Sequence, residues 1–184
     1  MKFITQAIPD VLLIEPVIHS DERGYFVETF KQKLLDEALG YKVNFVQDNE
    51  SKSTSKGVLR GLHFQLPPFT QNKLVRVIEG EVLDVAVDIR RNSPSFGKHV
   101  AVELSQKNKK QLFVPGGFAH GFIVLSKGAI FAYKVDAYYS AEHEEGIAYN
   151  DKDINIDWRI LDSEITLSKS DQNYPCLANI KKLF

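Results

Sequence analysis

The amino-acid sequence predicts an all-β fold, an antiparallel sandwich or barrel with few helices. Between residues 59 and 140, short β-type runs follow one another and are separated by turn sequences such as Glu79-Gly80 and Lys127-Gly128. Strands that recur every roughly 8–12 residues favour a sandwich or barrel. The same stretch leaves no room for the crossover helices of a doubly wound parallel sheet, which argues against that class.

One helix is predicted, from Glu28 to Leu39, where apolar residues recur at helical spacing and Gly40 supplies a stop. The clearest strand is predicted from Glu81 to Arg90, because apolar side chains alternate there and one face is uniformly apolar. The other predicted strands are Lys73–Glu79, Lys98–Leu104, Gln111–Val114, Phe122–Leu125 and Ile130–Tyr139.

The length and the cysteine content predict one cytoplasmic domain that spans residues 1–184. A chain of 184 residues buries roughly 70% of its unfolded surface and needs no disulfide or structural metal to fold. Its single cysteine, Cys176, excludes an intramolecular disulfide and a Cys-based zinc site. We expect neither a secretory signal peptide nor a membrane span, because no apolar run approaches ~18 residues.

The charge balance argues against a nucleic-acid partner. Lys and Arg number 23 against 24 Asp and Glu, which gives a formal net charge of -1, whereas a duplex binder carries a broad basic excess. Neither of the common glycine-rich phosphate-binding sequences occurs. A nucleotide must therefore be bound in another way.

Two strand-like stretches carry polar residues that are candidates for chemistry. In Arg60–Gln65 the alternation puts His63 and Gln65 on one face of a strand, so that the imidazole faces a cavity or is a hydrogen-bonded core histidine. In Pro115–Phe122 a glycine-rich turn leads into His120, which is a site residue or a turn histidine half in solvent.

Together these stretches resemble the two motifs of the cupin barrel. The second motif is present as Pro115, Gly117 and His120. In the first motif, Gln65 stands where metal-binding cupins have a second histidine, and Lys73 stands where they have a glutamate. A fixed positive charge opposes a divalent metal. We therefore expect a metal-free acid/base site, with no cofactor.

The resemblance becomes more specific when further motifs are included, and the chain resembles the dTDP-4-dehydrorhamnose 3,5-epimerases from about residue 10 to residue 172. The motifs, in family order, are Asp21–Glu28, Gln47–Asn49, Arg60–Gln65, Lys73–Val75, Asp84–Arg90, Pro115–Phe122, Tyr133-Lys134 and Tyr138-Tyr139. The resemblance implies a cupin-type double-stranded β-helix (jelly-roll) barrel with a few short helices. It also implies metal-independent epimerisation, at C3 and C5, of dTDP-4-dehydro-6-deoxy-D-glucose to dTDP-4-dehydro-L-rhamnose in dTDP-L-rhamnose biosynthesis.

The resemblance also assigns catalytic roles. His63 is the general base, and Asp171 is its partner, because an adjacent carboxylate fixes the imidazole tautomer and makes it a stronger base. Tyr133 is the general acid on the opposite face of the sugar. Lys73 lies near the C4 oxygen, where its charge stabilises an enolate.

Ten further residues match substrate-binding positions of the family. Arg23 and Arg60 suit the diphosphate, because guanidinium groups bind phosphate oxygens bidentately. The nucleotide end is matched by Glu28, Gln47, Asp48 and Asn49, thymine stacking by Tyr139, and the remaining positions by His120, Glu144 and Lys169. Glu28 could instead be an N-terminal helix carboxylate, and Glu144 could be a solvated acid. The chain departs from the family pattern at Phe64, Ala141 and the tail Leu167–Asp171.

Three alternatives remain open from the sequence. The chain could be a mono-epimerase or a ketoisomerase of a related nucleotide sugar, a metal-dependent cupin enzyme, or a non-catalytic sugar-nucleotide-binding barrel. The expected partners are a dTDP-linked 4-keto-6-deoxy sugar and a second copy in a homodimer, with no nucleic acid and no membrane. The apolar stretch Val11–Ile14 could contact that second copy or be buried within its own chain.

Overall fold

The computed structural model describes residues 1–184 and is built mainly of β-strands. The strands are β1 (Lys2–Thr5), β2 (Leu12–Glu15), β3 (Ile18–Asp21), β4 (Gly24–Val27), β5 (Gln47–Ser53), β6 (Leu59–Gln65), β7 (Lys73–Glu79), β8 (Glu81–Asp88), β9 (His99–Ser105), β10 (Gln111–Val114), β11 (Phe118–Val124), β12 (Ala129–Val135) and β13 (Glu144–Gly146). The helices are α1 (Gln32–Leu39) and three 3-10 helices, Asp162–Glu164, Asp171–Asn173 and Leu177–Asn179.

Two antiparallel sheets face each other and form an open jelly roll. One has the strand order β1-β2-β10-β7-β12-β5, and the other has the order β13-β6-β11-β8-β9. The main core lies between them, and its buried side chains come from both sheets, as with Val75 of β7 and Phe122 of β11. The all-β, cupin-like class predicted from the sequence is confirmed.

Each sheet also has a covered outer face. Leu83 and Val85 of β8 pack beneath the C-terminal segment that contains Trp158 and Ile180. On the other sheet, Leu35 of α1 packs in a smaller cluster on the outer face. The outer faces are thus occupied, and the polar cavities described below are lined by strands of both sheets.

The predicted helix is correct at its end and wrong at its beginning. Gly40 closes α1 in a left-handed conformation with a φ of 75°, but residues 28–31 are not helical. The carbonyl oxygen of Thr29 accepts a hydrogen bond from the buried Gln111 amide at 2.6 Å. That interaction and the packing of Phe30 against Phe45 hold the segment extended.

The strand predictions are correct in position and vary at their ends. β7 and β10 have the predicted bounds, whereas β9 lies one residue later and β8 ends at Asp88. β11 begins at Phe118, before the predicted start, and β12 ends at Val135, before the predicted Tyr139. After β12 the carboxylate of Asp136 accepts hydrogen bonds from Asn72, which turns the chain out of the sheet.

The N-terminal region contains one buried strand and one exposed hairpin. The apolar stretch Val11–Ile14 is buried within its own chain, where β2 pairs with β1 and β10. In contrast, the β3–β4 hairpin exposes Tyr25 and Phe26, with 58% and 65% of their surfaces accessible. No helix has both the length and the apolar character that crossing a membrane requires.

Candidate active site

Two adjoining cavities, each of about 280 Å³, contain most of the residues that the sequence singled out. The His120 cavity is lined by Ser51, Arg60, His63, Lys73, His120, Gly121, Phe122, Phe131, Tyr133, Ser168 and Asp171. The Tyr139 cavity is lined by Gln47, Asn49, His63, Phe64, Gln65, Gln71, Lys73, Tyr133, Tyr139 and Glu144. Three side chains, those of His63, Lys73 and Tyr133, line both cavities.

Strand β6 presents His63 to the cavities because its side chains alternate between two faces. Leu62 and Phe64 point into the core cluster on the other side. Gly61 permits the close pairing of β6 with β11: its φ is 120°, and a Cβ there would lie 2.6 Å from Cα of Gly121. A side chain at residue 61 would therefore push the two histidine-bearing strands apart.

His63 forms a hydrogen-bonded pair with Asp171. Nε2 of His63 lies 2.5 Å from Oδ1 of Asp171, and the Ser168 hydroxyl donates to Oδ2 at 2.7 Å. Burial raises the pKa of Asp171, but the hydrogen bonds from His63 and Ser168 outweigh it, so the pKa lies below its ordinary value. The carboxylate is thus ionised at neutral pH, and Nδ1 of His63 is the ring nitrogen left to accept a proton.

Lys73 is the first residue of β7 and lies beside both cavities. Burial lowers the pKa of its ammonium group to about 8, although the carboxylates of Asp84 and Glu144 partly oppose this shift. A lysine with this pKa is mostly charged at neutral pH and readily loses its proton in mild alkali. It supplies a positive charge where a new anion can be stabilised.

Tyr133 lies on β12, opposite Val75 of β7 and Asn49 of β5. Burial and the charge of Glu144 raise the pKa of its phenol, although Arg60 partly opposes them. The phenol therefore keeps its proton throughout the neutral range and can donate it. Tyr133 and His63 both line the two cavities, so a group that can donate a proton and a group that can accept one lie at their junction.

His120 is buried on β11, and the half-solvated turn position considered for it is wrong. Its Nε2 lies 2.9 Å from Oδ1 and 3.0 Å from Oδ2 of Asp84 on the neighbouring β8. Asp84 was not selected from the sequence as a site residue. An acidic residue at an inward position of an otherwise apolar strand is the signal that could have identified it.

Ser51 is another cavity residue that the sequence reasoning missed. Its Oγ is the single buried side-chain oxygen or nitrogen without a hydrogen-bond partner in the protein, and the residue lines the His120 cavity. Ser51 follows Asn49 by two positions, so both share one face of β5. That alternation, applied to Gln47–Asn49, could have identified it. Its hydroxyl is free to bond to a ligand oxygen.

The Tyr139 cavity brings together residues predicted for the nucleotide end. The Tyr139 hydroxyl donates to Oε2 of Glu144 at 2.9 Å, and the Gln47 amide donates to Oδ1 of Asn49 at 2.7 Å. Gln65, at a metal-ligand position of the cupin motif, instead donates to two carbonyls, including that of Tyr138 at 3.2 Å, and accepts from the Ser140 amide. It holds the loop that carries Tyr139.

Four predicted binding residues are not brought to these cavities within one chain. Arg23 lies at the tip of the β3–β4 hairpin, 84% exposed at its side chain and paired with Asp21. Glu28 is exposed and paired with Lys31. Asp48, at 72% side-chain exposure, pairs with Lys134 on the other face of its sheet. Lys169 is exposed and lines neither cavity.

The cavities hold no arrangement of three or more His, Cys, Asp or Glu side chains that could bind a metal ion. Asp171 and Asp84 are each paired with a histidine, and the His120 cavity is also lined by two cations, Arg60 and Lys73. This donor set suits proton transfer between a base and an acid.

Comparisons with known proteins match the chain along most of its length. A model of the dTDP-4-dehydrorhamnose 3,5-epimerase family matches residues 5–179. A dTDP-4-dehydrorhamnose 3,5-epimerase from Shigella flexneri is 60% identical over 160 residues, 87% of this chain and 88% of that protein. The structure of a Legionella pneumophila dTDP-6-deoxy-D-glucose-3,5-epimerase in complex with dTDP-4-keto-L-rhamnose has a TM-score of 0.94 and 50% identity, over 98% of this chain and 94% of that one. The structure of a Streptomyces bikiniensis 3'-monoepimerase in complex with dTDP-quinovose has a TM-score of 0.87 and 31% identity, over 95% of this chain and 87% of that one.

Proposed function

Because this chain belongs to the dTDP-4-dehydrorhamnose 3,5-epimerase family, we propose that it converts dTDP-4-dehydro-6-deoxy-D-glucose to dTDP-4-dehydro-L-rhamnose without a metal ion. The chain is an isomerase of nucleotide sugars in rhamnose biosynthesis. One observation supports the proposed roles of its residues: a base, a cation and an acid, His63, Lys73 and Tyr133, line both cavities.

The first step is removal of a proton from a carbon that flanks the C4 ketone. The C–H bond breaks, its proton moves to Nδ1 of His63, and its electron pair forms an enolate with the charge on the C4 oxygen. Asp171, bonded to Nε2 at 2.5 Å, stabilises the imidazolium that forms. Lys73 stabilises the enolate oxygen, because a buried ammonium acts there in a weakly screened environment.

The second step returns a proton to the opposite face of the same carbon. Tyr133 donates its phenolic proton to that carbon, and the configuration is inverted. The imidazolium of His63 then loses a proton to solvent and the phenolate of Tyr133 gains one, so the enzyme is restored with no net proton change. The same sequence at the second carbon completes the double inversion.

The remaining residues of the cavities bind the rest of the substrate. Arg60 carries the guanidinium predicted to hold the diphosphate, and hydrogen bonds to the Ser53 hydroxyl and the Lys52 carbonyl, both at 3.3 Å, orient it. Tyr139 and Glu144 are held together at 2.9 Å in the cavity proposed for the nucleotide end. The ring of Tyr139 is 56% exposed and is available for stacking on thymine.

Incubation of the purified protein with dTDP-4-dehydro-6-deoxy-D-glucose in D2O tests the proposed function. We expect deuterium at both C3 and C5 of the product, because each inversion takes its new proton from an acid that equilibrates with solvent. Nuclear magnetic resonance spectra of the sugar measure the label at each carbon. Label at C3 alone would instead indicate a mono-epimerase, and migration of the ketone would indicate a ketoisomerase.

Treatment with EDTA distinguishes the proposed metal-free mechanism from that of a metal-dependent cupin enzyme. Turnover that continues after exhaustive chelation supports the metal-free mechanism, whereas activity that follows stoichiometric iron, manganese or zinc contradicts it. A protein that binds dTDP but leaves every carbon unlabelled in D2O would be a non-catalytic binding barrel.

We also propose that the enzyme is a homodimer in which the β3–β4 hairpin of one copy completes the site of the other. Arg23 lines neither cavity of its own chain, and its hairpin, a separate two-stranded sheet, exposes Tyr25 and Phe26. An exposed pair of aromatic side chains beside an arginine is typical of a protein interface. A second copy could therefore bring Arg23 to the diphosphate.

Mixing two impaired variants tests this supply of Arg23 by the partner. We expect Arg23→Ala to raise KM about 10- to 100-fold, the effect of losing a hydrogen bond to a charged group. Reassociation of Arg23→Ala with His63→Ala should then recover about a quarter of wild-type activity, since half of the dimers are mixed and each mixed dimer has one intact site. Assays before and after mixing measure the recovery. No recovery from stable mixed dimers would show that Arg23 acts within its own chain.

A further inference from the structure

We propose that Tyr174 is a positioning residue for the base, an inference that rests on the proposed function of His63. The ring of Tyr174 contacts the imidazole of His63 edge-on, with ring centroids 5.6 Å apart and planes at 71°. Edge-to-face pairs of this geometry are attractive and fix the relative orientation of two rings. The contact therefore restrains the plane of the imidazole about its Cβ–Cγ bond.

One short segment supplies two restraints on the same imidazole. Asp171 begins the 3-10 helix Asp171–Asn173, and Tyr174 follows directly as its C-terminal flanking residue. Asp171 fixes the position of Nε2 of His63, and Tyr174 fixes the plane of the ring. The next residue is tied to the segment that follows β13, because the Pro175 carbonyl accepts a hydrogen bond from the Ala148 amide at 2.9 Å.

The strand next to the base leaves room for this ring. Gly146 of β13 pairs directly with His63 of β6, so its missing side chain leaves a gap beside the imidazole. The ring of Tyr174 fills that gap: a Cβ at residue 146 would lie 2.5 Å from two of its atoms. Contact this close requires glycine at residue 146, or displacement of the tyrosine.

Tyr174 acts through His63 and not on the substrate. It lines neither the His120 cavity nor the Tyr139 cavity. Burial, together with the nearby charges of Glu144 and Asp171, raises the pKa of its phenol to about 12, so the group stays neutral during turnover. The ring makes the contact with His63, so we expect the contribution of Tyr174 to come from its ring and its hydroxyl to be dispensable.

Three variants separate the ring from the hydroxyl. We expect Tyr174→Leu to lower kcat about tenfold with KM changed less than about twofold, because a slightly misplaced base slows proton removal and leaves binding intact. Tyr174→Phe should keep wild-type kcat. Tyr41→Leu, which removes a half-exposed tyrosine beyond α1, is the matched control and should also keep it. Unchanged kcat in Tyr174→Leu would overturn the proposal, as would equal loss in Tyr174→Phe.

A double-mutant cycle with Gly146→Ala tests the path of the effect. The added methyl group displaces the ring of Tyr174, so Gly146→Ala alone should lower kcat by a similar factor of about ten. In the Tyr174→Leu background the same change should cost little, because no aromatic ring remains to be displaced. Equal losses in both backgrounds would show that residue 146 acts without Tyr174 and would contradict the proposal.

A spectroscopic measurement keeps the inference separate from the proposed function. The proton between Nε2 of His63 and Asp171 should give a low-field resonance, which Asp171→Asn identifies by removing it. We expect Tyr174→Leu to shift this resonance and to speed its exchange with water, and Tyr174→Phe to leave it unchanged. A resonance that is the same in the wild type, in Tyr174→Leu and in Tyr174→Phe overturns the role of Tyr174. Absence of turnover in the wild type would instead count against the proposed function and leave this comparison valid.

Discussion

Replacement of His63 by alanine is expected to lower kcat about 10³-fold, the middle of the range for loss of a general base. The substitution removes the nitrogen proposed to accept the proton from both carbons. Deuterium incorporation from D2O should therefore fall at C3 and at C5 together. Because dTDP lacks the sugar carbons from which His63 is proposed to remove protons, the affinity for dTDP should change little, and calorimetry of dTDP binding checks this.

Two other variants make the His63 result specific. In Tyr133→Phe the base is intact and the acid is absent, so exchange with D2O should continue with retention while inversion stops. His99→Asn, on β9 at the far edge of the five-stranded sheet, should have wild-type turnover. If His63→Ala binds dTDP and keeps its activity, the assignment of the base is wrong.

The strands that sequence reasoning identified are those whose apolar residues face a core. β7 and β10 have the predicted bounds because their alternating side chains pack between the sheets. β5 was not predicted, since Gln47–Ser53 contains no apolar residue at all. One of its faces lines the cavities and the other meets solvent, and only its pairing with β12 makes it a strand. A strand whose inward face lines a polar cavity therefore lacks the alternation of apolar and polar residues by which strands are recognised in a sequence.

The same reasoning explains which site residues could be predicted. His63 and Lys73 stand inside recognisable motifs, so the sequence singled them out, and they line the same cavities. Asp84 and Ser51 carry weaker signals in their own strands, and their place beside His120 and in the cavity becomes evident only when strands distant in sequence lie side by side. Arg23 belongs to a motif as well, but motif order does not describe where its hairpin lies relative to the cavities, and within one chain Arg23 is exposed and pairs with Asp21.

Replacement of Lys73 by methionine is expected to lower kcat about 10²- to 10³-fold, the effect of removing one group that stabilises an oxyanion. Methionine has a similar shape and no charge, so the fold should be preserved and KM should change by much less than kcat. Steady-state kinetics across pH measure both. Equal changes in kcat and in dTDP affinity would show that Lys73 binds the nucleotide and does not stabilise the enolate.

The pH dependence of the wild type provides a second test of Lys73. Its pKa of about 8 predicts that kcat/KM falls as pH rises through about 8, because deprotonation removes the charge that the enolate needs. The fall in kcat should begin at a higher pH than the fall in kcat/KM, since the negative charge of the bound diphosphate raises the pKa of Lys73 in the complex. In Lys73→Met this alkaline limb should be absent, while Tyr133, whose pKa is raised, keeps its proton in the same range.

Destabilisation of the fold by deprotonation of Lys73 cannot account for that alkaline limb. The pKa of Lys73 lies below the ordinary lysine value of 10.5, so between about 8 and 10.5 the unfolded chain binds more protons at this residue than the folded chain. The contribution of Lys73 to the free energy of unfolding therefore rises with pH across the window in which activity is lost. Thermal denaturation at pH 7 and pH 9, compared between the wild type and Lys73→Met, isolates that contribution. Activity that falls with pH while the Lys73 contribution to stability rises, together with the absence of the alkaline limb in Lys73→Met, would assign the loss to the charge that serves the reaction.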